Sequence, residues 1–93
     1  MISNAWSRKS IKRKIKEIIL ASGQVAKKPQ DSDSLFLSLR FDSLRITALF
    51  EALEKEFGRS LLLNDWIRQS LDPTTLTVDS LCNHVYQALQ TKD

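Results

Sequence analysis

Residues 34–57, SLFLSLRFDSLRITALFEALEKEF, change character partway along. Leu44, Ile46, Leu49, Phe50, Leu53 and Phe57 form a helical stripe, which predicts a helix over 43–57 with Asp42 as N-cap and Gly58 as stop. Such a helix is about 22 Å long. Upstream, residues 24–42 mix Pro29 with Ser and Asp around the apolar run Leu35-Phe36-Leu37. This suits a long connecting loop pinned to the core by Leu35, Leu37 or Phe41. A loop of that length usually carries function.

On the far side of the loop, Ile11, Ile15, Ile18 and Ile19 lie on one stripe of a first helix over 7–22, ending at Ser22-Gly23. Its other face is almost entirely Lys and Arg. Downstream, Asn64 or Asp65 is expected to cap a short third helix over 64–71, carrying Trp66, Ile67 and Leu71 and ended by Asp72-Pro73. Thr77 is the expected cap of a last helix over 77–90, with Val78, Leu81, Cys82, Val85 and Leu89 on one stripe. Helices without a convincing strand predict an all-α four-helix bundle, made irregular by the long first loop.

The 93 residues suffice for a single domain, 1–93, and not for two cores. Hydrophobic content of 42% and charged content of 27% are ordinary globular values, which exclude a disordered or low-complexity chain. The net charge of +3 divides unevenly. Residues 1–28 hold eight Lys or Arg against Glu17, whereas residues 29–93 hold six against ten acids, giving +7 and −4. A single cysteine, Cys82, precludes an internal disulfide or a zinc cluster and suggests a reducing, cytoplasmic setting. One histidine and two glycines leave no metal-binding His pair, no glycine-rich phosphate loop and no Ser-His-Asp candidate close in sequence, so an enzyme is not expected. The longest apolar runs, Ile18 to Ala21 and Leu61 to Leu63, fall far short of the ~20 residues that span a bilayer. Residues 1–16 are basic like a targeting presequence, but they run into the Ile stripe that the core needs, so the segment is expected to be retained.

The triplet Asp42-Ser43-Leu44 at the start of the second helix, and Leu53-Glu54-Lys55-Glu56-Phe57 at its end, resemble the acyl carrier proteins. Ile15-Lys16-Glu17-Ile18-Ile19, Ser34-Leu35-Phe36 and Thr77-Val78 extend the resemblance over nearly the whole chain. It implies a four-helix bundle of acyl-carrier type in which Ser43 is esterified by 4′-phosphopantetheine from coenzyme A. The donor enzyme is a phosphopantetheinyl transferase. The implied protein is a non-catalytic, monomeric, cytoplasmic carrier of acyl thioesters, serving acyl-loading and acyl-transferring enzymes and not nucleic acid. By the same resemblance Asp42 helps hold metal and substrate at the transferase, and Leu44 gives that enzyme an apolar contact. Arg40, Arg45, Glu51 and Glu54 are the candidates for partner recognition. Acyl chains in the family shelter between the second and third helices, where Phe50, Leu62, Trp66 and Ile67 are candidates, although core packing explains the same residues. Arg40 stands where the family has glycine, and Arg45, Ala48 and Lys55 dilute its usual acidic surface. This points away from the primary fatty-acid synthase and toward a specialised lipid, polyketide or non-ribosomal pathway.

A second triplet, Asp79-Ser80-Leu81, opens the last helix. Ser80 lies about 200° around from Val78 and is expected to face water. Nothing else near it matches the family pattern. His84 is expected to be a surface or partly buried packing residue and Cys82 to pack as a small hydrophobe. The basic first helix reads as a solvated face. The alternatives are contact with anionic lipid or an acidic enzyme, or a small helical nucleic-acid-binding domain.

Overall fold

The computed structural model describes residues 6–21, 28–69 and 72–90. The helices are α1 (Arg8–Ala21), α2 (Ser43–Phe57), α3 (Leu63–Arg68) and α4 (Val78–Gln90), with one 3₁₀ turn at Pro73–Thr75. The expected stop of α1 at Ser22-Gly23, and Leu71 at the end of α3, lie outside the described residues. No described helix is long and apolar enough to cross a membrane.

α1 packs chiefly against α4 and next against α2, while α3 packs on α4. Ile11, Ile15 and Ile19 of α1, Leu53 of α2 and Val78, Leu81 and Val85 of α4 are completely buried in one core. Burial of each such side chain contributes about 1.5–3 kcal/mol. The ends of α2 follow from local chemistry. The Asp42 carboxylate accepts from the Arg45 amide at 2.9 Å, and Gly58 adopts φ 73°, donating its amide to the Glu54 carbonyl at 2.8 Å. Thr77 likewise caps α4, its Oγ1 accepting from the Ser80 amide at 3.1 Å.

α3 begins one residue earlier than its expected caps. Leu62 occupies the N-cap position with φ 54° and no side-chain cap bond, so Asn64 and Asp65 fall inside the helix. The reason is packing, since Leu63 and Trp66, three positions apart on one face, are both buried. α3 ends at Arg68, short of the expected 71.

The loop is pinned at Leu35 and Phe41 as expected, but Leu37 is exposed and Leu39 is buried in its place. The Ser34 carbonyl accepts from the amides of both Ser38 and Leu39 at 2.9 Å. The resulting turn sets Leu35 and Leu39, four apart, toward the core. The loop also completes the start of α4. Carbonyls of Asp33 and Asp31 accept from the Val78 and Asp79 amides, each at 2.9 Å, and an isolated antiparallel bridge joins Ser34 to Thr77. These bonds satisfy donors that a helix cannot satisfy itself.

Candidate functional site

Ser43 is the first residue of α2 and is exposed. Its hydroxyl has no hydrogen-bond partner among the described residues, while its carbonyl accepts from Thr47 Oγ1 at 2.9 Å. Asp42 caps the helix immediately before it, and Leu44 immediately after it is 79% exposed. The Asp42 cap occupies the Arg45 amide, so the amides of Ser43 and Leu44 remain as first-turn donors without an intrahelical acceptor. The positive end of the α2 dipole adds to them, and together they favour an anion on the Ser43 oxygen.

Arg40 and Arg45 flank this point. Arg40 holds φ 61°, the left-handed conformation that glycine adopts without strain and other residues adopt at about 1–2 kcal/mol. The loop thus retains the backbone shape that a glycine there would favour, with an arginine side chain added. Arg45 Nη1 lies 3.7 Å from the Asp42 carboxylate, with both groups largely solvated. Glu51 is exposed one helical face further on. Glu54 is tied inward, its carboxylate accepting from the Leu61 amide at 3.0 Å, which shapes the turn between α2 and α3. That bond is a structural role that the helical stripe of α2 did not signal.

Ser80 departs from its expected exposure. Its Oγ accepts from the buried Trp66 indole N–H at 2.9 Å, in a partly buried position. Trp66 anchors α3 as expected, and its ring meets Phe50 edge-on with centroids 6.3 Å apart. Ile67 is half-buried and Leu62 is exposed. A recess of about 180 Å³ beside Phe50 is bordered by the polar Thr47, Glu51, Glu54 and Asn64. A larger groove of about 540 Å³ lies between α1 and α2, floored by Ile18, Ala48, Leu49 and Ala52 with Arg45 and Lys55 at its rim.

His84 Nε2 is 2.8 Å from the Leu61 carbonyl, to which it donates, so this histidine fastens the chain before α3 to α4. Cys82 is buried, and loss of hydration pushes its thiol up to about 12, which keeps it protonated and unreactive. Among the described residues no group of His, Cys, Asp and Glu could hold a metal ion.

The basic face of α1 is not uniformly solvated. Lys12 Nζ reaches Asp31 at 2.7 Å and Asp79 at 3.3 Å, Lys16 reaches Asp31 at 2.6 Å, and Lys14 reaches Glu17 and Glu56 at 3.5 and 3.6 Å. The Arg8 guanidinium bonds Asn83 and stacks 4.7 Å from the centre of the Tyr86 ring. Hydrogen bonding to Asp31 holds Lys12 above the ordinary lysine value, and hydrogen bonds from Lys12 and then Lys16 hold Asp31 below the ordinary carboxyl value. Much of the positive charge on α1 therefore fastens the loop and α4. Compared with family models, with curated proteins and with solved structures, the chain returns no match.

Proposed function

We propose that the chain is an acyl carrier in which Ser43 takes 4′-phosphopantetheine from coenzyme A, delivered by a phosphopantetheinyl transferase. The observation that carries this reading is the placement of Ser43. Its exposed hydroxyl, without a hydrogen-bond partner among the described residues, opens α2 between the capping Asp42 and the outward Leu44. In the transfer, the bond from Ser43 Oγ to the phosphorus on the pantetheine side forms as the bridging phosphorus–oxygen bond of the coenzyme A pyrophosphate breaks, the hydroxyl proton is given up, and adenosine 3′,5′-bisphosphate leaves. The new phosphodiester would lie against the first-turn amides and the dipole of α2, which favour an anion by about 0.3–1 kcal/mol. The attached arm supplies a terminal thiol that carries acyl groups as thioesters. The chain's own residues then serve presentation. α2 holds the attachment point rigidly, and Leu44, Arg40, Arg45 and Glu51 offer exposed contacts to the transferase and to acyl-loading and acyl-transferring enzymes. The cations among them favour clients other than those that bind an uninterrupted acidic helix, which fits a specialised lipid, polyketide or related pathway.

Incubation of the purified chain with coenzyme A and a broad-specificity phosphopantetheinyl transferase tests the reading by intact mass. The expected result is addition of a single phosphopantetheine; an unchanged mass refutes the carrier function.

A further inference from the structure

Two cations of α1 that do not brace the fold, and one from the segment after it, are gathered at one place. Lys9, Arg13 and Lys28 are exposed and have no ion-pair partner among the described residues. They line a cleft of about 450 Å³ between α1 and residues 28–30, together with Lys12, Lys16 and Leu20; Glu17 is its acid. The cleft already shows what its cations bind. Lys12 and Lys16, four residues apart, each take one oxygen of the Asp31 carboxylate, at 2.7 and 2.6 Å. Lys9 and Arg13 repeat that four-residue spacing one turn earlier, line the same cleft and are exposed, so the pair is placed to fork a second carboxylate.

We propose that this cleft docks an acidic segment of a partner protein, whose carboxylates enter the Lys9–Arg13 fork with Lys28 on the opposite wall. The proposal is independent of any modification at Ser43. A concave site suits an inserted segment better than a flat bilayer. The cleft itself has little apolar surface to lend a membrane, because Ile11, Ile15 and Ile19 are fully buried in the core, Ile18 faces the groove toward α2, and Leu20 is the exposed large apolar side chain that lines the cleft. For a nucleic acid, the aromatic rings nearest α1 are already engaged: Trp6 packs edge-on against Phe57 with centroids 4.7 Å apart, and Tyr86 lies under Arg8.

A fluorescent helical peptide with glutamates four residues apart, titrated at low salt and followed by anisotropy, tests the proposal. Lys9→Glu/Arg13→Glu should weaken binding about tenfold or more, and Lys55→Glu/Arg68→Glu, with the same change in net charge, much less. Amide shifts on titration should centre on residues 9–20 and 28–30. The first variant should fold normally, because Lys9 and Arg13 are exposed and make no hydrogen bond or ion pair among the described residues, and an acid at position 9 lies in the first turn of α1, where it is favourable. Equal weakening by both variants would reduce the effect to net charge and overturn the proposal. So would tighter binding to phosphatidylserine vesicles or to a duplex oligonucleotide than to the peptide.

Discussion

The tripeptide Asp-Ser-Leu occurs twice, at the head of α2 and at the head of α4, and the two copies have opposite fates. In the first, Asp42 is the cap, Ser43 opens the helix in an exposed position, and Leu44 projects into solvent. In the second, Thr77 is the cap, so the same residues start two positions deeper, a rotation of about 200°. Ser80 then meets the Trp66 indole, Leu81 is completely buried, and Asp79 pairs with Lys12 at 3.3 Å. A short motif thus acquires meaning from its register relative to the cap. The register turns one copy outward, free for chemistry, and builds the other into the core.

The leucines separate the copies most strongly. Leu81→Ala should cost about 2–5 kcal/mol in urea unfolding, because it empties a buried position, whereas Leu44→Ala should stay within about 0.5 kcal/mol. Equal losses would contradict the assigned registers. The serines should differ by less. Ser80→Ala strands the indole N–H of a buried tryptophan and should cost about 1–3 kcal/mol, while Ser43→Ala, which removes no hydrogen bond from the described fold, should change stability little. Near-UV circular dichroism should report the Ser80 change through Trp66.

The smallest effect concerns the charges behind the second copy. The folded Asp31 carboxyl lies below its ordinary value of 3.8, so its contribution is present above that pH and is lost as pH falls through the folded value. Stability measured from pH 6 downward should therefore decline below about 4, and Asp31→Asn should flatten part of that decline. The pairs are partly exposed, so the change is modest and shrinks with added salt.

What was legible in the sequence was local. Asp42, Gly58 and Thr77 announced helix ends because caps act within a few residues, and the stripes of α1, α2 and α4 announced the core. What the sequence hid depended on contacts across the chain. Leu39 replaced Leu37 because of a turn around Ser34, and Ser80 turned inward because Trp66 lies above it. Lys12 and Lys16 became braces because the loop carries Asp31 to them. Arg40 falls between these cases. Its resemblance-based mismatch with glycine marked the position where the backbone does take a positive φ, but not how an arginine would be accommodated there.

Ser43 is the exposed serine open to modification and Ser80 the one held by Trp66, and intact mass after treatment with coenzyme A and phosphopantetheinyl transferase tests that division directly on a pair of variants. Ser80→Ala should gain one phosphopantetheine and Ser43→Ala none. A gain that survives in Ser43→Ala and disappears in Ser80→Ala would contradict the account.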